Sequence, residues 1–284
     1  CIFGQILAIG VPIDAMVMFR MLKLPLRRQV GVALLGLCGL AQKPFLSAAS
    51  GSLPLSELSS LHAKFGGDDS VFANAPMPQR AKSGGTISAM SVQIPALERL
   101  LPYLRVSTPP ASVFDLGFGS GVMAAMFLAV EEVEVVGVDL EDKVPVATAN
   151  MLASDGPFRP FKQEQFQFLG GDAFMYLQKW KDEGKTFDVV YSGCSFDPDT
   201  EQLNLFLGQL KPTGAAVFNL GTPGYQGMYF VADGGKTCEL LMRVNFMMAE
   251  SPLTPRGSKG TSIPLDPARL GAWIRRNIFA DKEL

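Results

Sequence analysis

The sequence predicts an α/β domain built on a doubly wound, mostly parallel sheet. Two observations favour this fold class. From residue 112 onward, short apolar runs typical of strands alternate with helical stretches, and such alternation implies βαβ units. A glycine-rich turn follows the first of these strands and leads into a helix. Hydrophobic residues make up 48% of the chain and charged residues 18%, which is enough apolar material for a substantial core.

Strands and helices are predicted in strict alternation along this part of the chain. An amphipathic helix, 94–104, comes before the first strand. The predicted strands cover residues 112–116, 134–138, 165–169, 187–191 and 215–220. The helices between them cover residues 122–130, 144–153, 173–181 and 201–210. Two further β-like runs, 228–232 and 240–247, are expected to complete the sheet at one edge.

Residues 1–50 differ in composition from the rest. A basic cluster that includes Arg27 and Arg28 precedes a short apolar run, 30–41, and small residues follow it. This order is typical of a signal-type segment, because the apolar run is too short to span a bilayer. The Arg27-Arg28 pair also resembles a twin-arginine or thylakoid-type signal. We expect a segment that targets the chain to an organelle or to secretion, and a retained helical hairpin, buried or membrane-inserted, is the alternative.

The region after this segment divides into a linker and a regular domain. Residues 51–70 are rich in Ser, Gly and turn signals, which predicts a linker. The regular domain is expected to cover residues 71–284. Any membrane contact is expected to involve residues 1–50 alone.

Charge, cysteine and histidine content exclude several classes of function. The formal net charge is −2 and the basic residues are scattered, which disfavours nucleic acid as a partner. The four cysteines lie far apart without a C-x-x-C pair, so neither a metal site nor a disulfide framework is expected. The single histidine, His62, lies in a Ser-rich stretch and is interpreted as solvated. A Ser-His-Asp hydrolase is therefore disfavoured.

A glycine loop and two acids mark a candidate ligand site. Gly117, Gly119 and Gly121 follow a predicted strand and open a helix, where small residues and unpaired N–H groups can approach a ligand. Such a loop alone can also be a tight turn without any ligand. However, Asp139 ends the second strand, where an acid can accept hydrogen bonds from ribose hydroxyls, and Asp172 ends the third, where it can face an adenine amino group. The three features predict a nucleoside site at one edge of the sheet.

The spacing of the loop distinguishes between two nucleotide-binding classes. A dinucleotide-binding dehydrogenase usually has G-x-G-x-x-G, whereas this loop has a third glycine one position earlier and Asp115 ahead of the first. The D-x-G-x-G-x-G form resembles motif I of S-adenosylmethionine-dependent methyltransferases. In that setting Asp115 could offset a sulfonium or ammonium charge through the loop. It could equally bond to backbone N–H groups of the loop.

Segments on both sides of the loop carry a more specific resemblance. Upstream stand G-G-T-I-S-A at 84–89 and the helical segment L-E-R-L at 97–100. This order resembles the protein-L-isoaspartate (D-aspartate) O-methyltransferase family. Downstream, the segments that also resemble the family are Gly171-Asp172, 187–193, 210–214 and 251–254. The similarity covers about residues 72–254.

The resemblance implies a Rossmann-like class I methyltransferase fold, S-adenosyl-L-methionine as cofactor, and a monomeric domain that is cytoplasmic in the family. The implied reaction is methyl transfer to the free carboxylate of L-isoaspartyl residues in damaged proteins or peptides. Ser88 takes the place of the active-site serine. The residues expected at the cofactor are Gly85, Thr86, Ile87, Asp115, Gly117, Gly119, Ser120, Gly121, Asp139, Gly171, Asp172 and Thr254. Among these, Asp139 is expected at the ribose and Asp172 at the adenine.

The chain also departs from the family pattern. Met90-Ser91 stand where the family usually has Pro-His, and Gln93 replaces a second histidine. The helical region that the family places before G-T-I-S-A matches residues 56–74 poorly. A methyltransferase with a different acceptor, or a non-catalytic cofactor-binding module with a membrane anchor, are the alternatives. The shortage of histidine is no obstacle to the implied reaction, because a carboxyl group with a pKa of about 4 is already ionised at neutral pH.

Overall fold

The computed structural model of the chain describes residues 55–64, 79–80, 86–153, 160–198, 201–249 and 263–280. Its strands are β1 (Gln79–Arg80), β2 (Thr86–Ile87), β3 (Ala111–Leu116), β4 (Val133–Asp139), β5 (Phe166–Gly170), β6 (Phe187–Phe196), β7 (Leu210–Thr222), β8 (Tyr225–Ala232) and β9 (Thr237–Val244). Its α-helices are α1 (Leu55–Lys64), α2 (Met90–Val106), α3 (Val122–Val130), α4 (Val144–Leu152), α5 (Ala173–Asp182), α6 (Gln202–Gly208) and α7 (Pro267–Asn277).

Seven strands form one sheet in the order β5-β4-β3-β6-β7-β8-β9. Strands β3 to β7 are parallel, and β8 and β9 add an antiparallel edge. After β3 the chain builds β4 and β5 on one side, and it then crosses back to build β6 and β7 on the other. The carboxyl ends of β3 and β6 therefore form a topological switch point, where open α/β sheets bind ligands. The pair β1–β2 forms a separate small antiparallel sheet.

Apolar side chains cover both faces of the sheet, which explains why its strands are almost continuously hydrophobic. On β3, Val113 and Phe114 are both fully buried but belong to different hydrophobic clusters. The Val113 cluster includes residues of α2 and α3, and the Phe114 cluster includes residues of α5, α6 and α7. The Phe114 ring packs edge-to-face on Trp180 with 5.3 Å between ring centroids. The two layers of helices confirm the doubly wound α/β fold.

The predicted strands and helices of the sheet domain are confirmed, with shifts at their ends. Helix α3 has the predicted bounds, whereas α2 begins four residues earlier than predicted, at Met90. Strand β6 continues to Phe196, beyond the predicted end at residue 191. It continues because the polar and small residues after Tyr191 form an irregular stretch that still pairs with β7. The two edge strands β8 and β9 lie where they were expected.

Helix α1 lies where the sequence predicts a linker, so the linker prediction is wrong for Leu55–Lys64. Leu58 and Leu61 are three residues apart, lie on one face of the helix and are fully buried. His62 is only 1% exposed, so its interpretation as a solvated histidine is also wrong. The serines made this stretch look like a linker, although they lie on the solvent side of the helix. There the Ser60 hydroxyl donates to the Ser56 carbonyl at 3.0 Å.

The predicted targeting segment, residues 1–50, lies outside the described residues. In the part of the chain that the structure describes, no helix has the length and apolar character needed to cross a membrane. The predicted monomeric state stays a prediction.

Candidate functional site

The loop between β3 and α3 takes its shape from glycine. Gly117, Gly119 and Gly121 have φ values of +75°, +56° and +87°, which residues with a Cβ atom rarely adopt. The Gly117 N–H donates to the Val138 carbonyl of β4 at 2.8 Å, so the turn is tied to the neighbouring strand. A Cβ placed on Gly119 would have no atom within 4 Å. The loop therefore presents backbone toward open space, as a ligand cradle requires.

Two anchors hold this loop on the sheet and on α4. The buried ring of Phe118 stacks on Phe168 of β5 with 4.3 Å between ring centroids. The Ser120 carbonyl accepts a hydrogen bond from Asn150 Nδ2 at 3.0 Å, whereas the Ser120 hydroxyl is buried without a partner. Asn150 was not predicted as a site residue. An amide in a mostly apolar helical stretch is the feature that could have indicated it.

Asp139 joins the end of β4 to the glycine loop. Its carboxylate accepts the Gly119 N–H and the Leu140 N–H, each at 2.7 Å. Burial raises the pKa of Asp139, and these two N–H groups offset only part of that effect. Each carboxylate oxygen has two lone pairs, so both can accept a further hydrogen bond from a hydroxyl. Leu140, which follows, is 61% exposed and offers an apolar surface beside the acid.

Asp115 lies beneath the loop and has no solvent exposure. Burial raises the pKa of its carboxyl to about 8, and the neighbouring charge of Asp139 adds to the shift. The backbone N–H of Ala124, in the first turn of α3, offsets part of it, although neither carboxyl oxygen makes a well-formed hydrogen bond. The group is therefore largely protonated at neutral pH unless a cation or a donor approaches it.

Gly171 and Asp172 bring the end of β5 to the same edge. The Gly171 N–H donates to the Asp139 carbonyl at 2.9 Å, which links the two strand ends. The Asp172 carboxylate accepts the Phe174 N–H at 2.9 Å and so caps helix α5. The structure therefore brings together the glycine loop, Asp139 and Gly171-Asp172, as predicted, and gives Asp172 a capping role that the sequence interpretation did not assign.

Ser88 lies between β2 and α2 and is half-buried. Helix α2 has Ala89 at its N-cap and no side-chain hydrogen bond there, so Ser88 does not serve as the helix cap. The Ser88 carbonyl is 3.1 Å from Nε2 of His62. Ile87 is buried, Thr86 is described only by its backbone, and the predicted cofactor residues Gly85 and Thr254 lie outside the described residues.

Residues 246–249 run beside the carboxyl end of β6, where β3 no longer pairs with it. Ser195 donates its N–H to the Met247 carbonyl at 2.8 Å and accepts the Ala249 N–H at 2.7 Å, which is parallel pairing. Buried Gln226 fixes the start of this stretch, since its Nε2 donates to the Phe246 carbonyl at 3.1 Å. The chain that leads toward the predicted 251–254 segment is therefore held at the switch point, and Met247 is 72% exposed there.

His62 makes a pH-dependent contribution that can be measured. Burial lowers its pKa from 6.5, and the hydrogen bond with Ser88 offsets only part of the effect. A histidine whose folded pKa is lowered stabilises the fold above its unfolded pKa and loses that contribution as the pH falls through the folded value. Wild-type stability should therefore decline below pH 6.5 relative to a His62→Gln variant. Urea unfolding of both proteins between about pH 5 and 8 measures this, and parallel profiles would contradict it.

Comparisons with known proteins place this arrangement in a fold family. No protein-family model matches the chain, and no curated protein matches it. A structure described as a protein-L-isoaspartate O-methyltransferase from Plasmodium falciparum, in complex with S-adenosyl-L-homocysteine, is 20% identical with a TM-score of 0.51, over 70% of this chain and 92% of that one. A second structure named protein-L-isoaspartate O-methyltransferase is 18% identical with a TM-score of 0.43, over 72% and 67%. A methyltransferase from Agrobacterium tumefaciens is 21% identical with a TM-score of 0.37, over 46% and 44%.

The first of these likenesses shows that the chain has a Rossmann-like class I methyltransferase fold. The fold class predicted from the sequence is thereby confirmed. The predicted resemblance to protein-L-isoaspartate O-methyltransferases is also confirmed as a likeness in structure.

Proposed function

We propose that this chain is an S-adenosyl-L-methionine-dependent methyltransferase that acts on the free carboxylate of L-isoaspartyl residues in damaged proteins or peptides. One observation carries the cofactor half of the proposal. The glycine loop, Asp139 and Gly171-Asp172 lie together at the carboxyl edge of the sheet of a class I methyltransferase fold, where the Gly119 N–H donates to the Asp139 carboxylate and the Gly171 N–H donates to the Asp139 carbonyl. This is the place and the chemistry that a nucleoside requires in such a sheet.

The residues at this edge fit the parts of the cofactor. Asp139 keeps free lone pairs on both carboxylate oxygens for the ribose hydroxyls. The loop is open at Gly119, which leaves room for a ligand against the backbone. Asp115, buried below it without a well-formed hydrogen bond, is a carboxyl group that a positively charged amino-acid tail would stabilise in its ionised form. Exposed Leu140 offers an apolar surface for the adenine ring.

The proposed reaction requires little proton transfer by groups of the protein. When bound, S-adenosyl-L-methionine would supply a sulfonium methyl group that an acceptor carboxylate oxygen could take, with the C–S electron pair left on sulfur. Ser88 needs only to hold the carboxylate in line. His62 is buried behind the Ser88 backbone and takes no part in proton transfer.

The acceptor half of the proposal rests on the G-T-I-S-A resemblance and on the burial of two of the three residues that depart from the family. Met90 and Gln93 are 2% and 3% exposed, so both side chains belong to the packing of α2. Ser91, which stands where the family usually has a histidine, is exposed. Two of the three departures are therefore buried, and the departure at position 91 is the one that changes the exposed side of this segment.

A transfer assay tests the proposal. The chain is incubated with labelled S-adenosyl-L-methionine and either an isoaspartyl peptide or the same peptide with ordinary L-aspartate. We expect a base-labile methyl ester on the first peptide alone, and Ser88→Ala should lower kcat about tenfold because positioning is lost. Its affinity for S-adenosyl-L-homocysteine should not change. If the chain binds the cofactor but does not methylate the isoaspartyl peptide, the proposed acceptor is wrong. Transfer to another substrate would then identify a different acceptor.

A further inference from the structure

Asn219 is a buried amide within the apolar part of strand β7, residues 214–221, and the proposed chemistry does not use it. It lies on β7 with no solvent exposure. Its Nδ2 donates to the Ser192 carbonyl at 3.0 Å and to the Cys194 carbonyl at 3.3 Å, both on the neighbouring strand β6. An apolar side chain at this position would leave two carbonyls without this donor, which costs more than a loss of packing alone.

Those carbonyls belong to a bulge. Tyr191 pairs with Val217 and Ser195 with Asn219, so four residue steps on β6 face two steps on β7 and β6 carries two extra residues. Ser192 closes the bulge from within, since its hydroxyl donates to the Cys194 carbonyl at 2.8 Å and accepts the Cys194 N–H at 3.1 Å. Bulges of this kind bend a strand and redirect its residues, and they are common beside active sites.

The bulge is directed at the glycine loop. A Cβ on Gly193 would lie 2.6 Å from the Gly117 carbonyl oxygen, so the two backbones touch. A Cβ on Gly117 would lie 2.6 Å from Cys194 Sγ, so the contact is tight from both sides. Gly117 is the first residue of the loop with a positive φ. A change in the bulge therefore acts on the loop at the point where it leaves the sheet.

We propose that Asn219 is a positioning residue for the glycine loop: its amide fixes the 192–194 bulge of β6, and the bulge fixes the conformation in which the loop binds the adenosyl cofactor. The effect passes through backbone contacts, since Asn219 itself lies on the second strand away from β3. The cofactor part of this inference rests on the proposed function, whereas the effect on the loop does not.

The chain offers a matched control at the other end of the same strand. Gln209 precedes β7, has no solvent exposure, and its Nε2 donates to the carbonyls of Leu177 and Leu205 at 3.0 and 3.3 Å. Asn219→Leu and Gln209→Met thus each remove a buried amide that serves two carbonyls. The two variants differ in whether those carbonyls belong to a segment that contacts the loop.

Three measurements on the full chain test the inference: thermal unfolding, calorimetric titration with S-adenosyl-L-homocysteine, and hydrogen exchange of the peptide that spans the loop. We expect both variants to unfold at lower temperature. Only Asn219→Leu should bind about tenfold more weakly and exchange faster in the loop. Wild-type affinity and loop exchange in Asn219→Leu would overturn the inference, as would an equal loss of affinity in Gln209→Met.

Two further outcomes keep the inference and the proposed function separate. If Asn219→Leu does not fold, Ser192→Ala opens the same bulge from within by removing its hydroxyl contacts with Cys194. It should weaken binding in the same direction, and unchanged affinity would overturn the inference. If the wild-type chain does not bind S-adenosyl-L-homocysteine, the proposed function fails, and loop exchange in Asn219→Leu still decides whether the amide positions the loop.

Discussion

Replacing Asp139 with alanine should weaken binding of S-adenosyl-L-homocysteine by about 100-fold or more, because the two charge-assisted hydrogen bonds that we propose it makes to the ribose would be lost. The substitution also releases the Gly119 N–H and the Leu140 N–H, which the carboxylate holds at 2.7 Å. The loop therefore loses one of its two links to β4 at the same time, while the Gly117 N–H keeps its bond to the Val138 carbonyl. Calorimetric titration measures the affinity, and thermal unfolding shows whether the variant is folded.

Asp142→Ala is the matched control for Asp139→Ala. Asp142 lies three residues further on, its side chain is 66% exposed, and it pairs with Lys143 at 2.8 Å. Removing its charge should change the affinity by less than about fivefold, since exposed ion pairs contribute little. Equal losses of affinity in the two variants would mean that the local negative charge, and not the position of the Asp139 carboxylate, determines binding. An unchanged affinity in Asp139→Ala would show that the ribose is not bound here.

Asp115→Asn should stabilise the ligand-free protein as the pH rises. Burial raises the pKa of Asp115 from 3.8 to about 8. An acid with a raised folded pKa stabilises the fold below its unfolded pKa and loses that contribution as the pH rises to the folded value. Relative to the Asn variant, wild type should thus lose stability on the order of 1 kcal/mol per pH unit between these two values. Urea unfolding of both proteins across this range measures the difference.

Asp188→Asn, the same substitution on strand β6, should have the opposite sign. Burial alone would raise the pKa of Asp188, but hydrogen bonds from Lys211 and Ser112 outweigh it and lower the pKa. This carboxylate therefore stabilises the fold above its unfolded pKa and loses its contribution as the pH falls. At neutral pH, Asp188→Asn should destabilise while Asp115→Asn stabilises. The same sign for both would contradict the assigned environments.

Cofactor binding should release protons from Asp115. At neutral pH its carboxyl is largely protonated, and a bound ammonium or sulfonium nearby favours the ionised form. The calorimetric binding enthalpy of wild type should therefore differ between buffers with different ionisation enthalpies. In Asp115→Asn the buffer dependence should disappear. A wild-type enthalpy that is independent of the buffer would place the charged tail of the cofactor elsewhere.

The sheet was predictable from the sequence because parallel strands buried on both faces are continuously apolar and are bounded by clear turns. Helix α1 was not, because serine on its exposed face masked the buried Leu58 and Leu61. The full length of β6 was also missed. Its bulge interrupts the alternation of side chains, and the amide that supports it, Asn219, lies on another strand.

The candidate site was predictable where it follows strand ends. Gly119, Asp139 and Gly171 meet because consecutive parallel strands end at one edge, and this can be read from spacing. Contacts between distant parts of the chain could not be read in that way. His62 against Ser88 is an example, since only the packing of α1 against the core brings the imidazole to the serine carbonyl.

Calorimetric titration of the full chain with S-adenosyl-L-homocysteine tests the central claim most directly. The claim is that the carboxyl ends of β3, β4 and β5 form an adenosyl-cofactor site. We expect saturable binding at one site per chain, abolished or strongly weakened by Asp139→Ala and retained by Asp142→Ala. Absence of binding to a folded wild-type chain, or binding that Asp139→Ala leaves intact, would contradict the account.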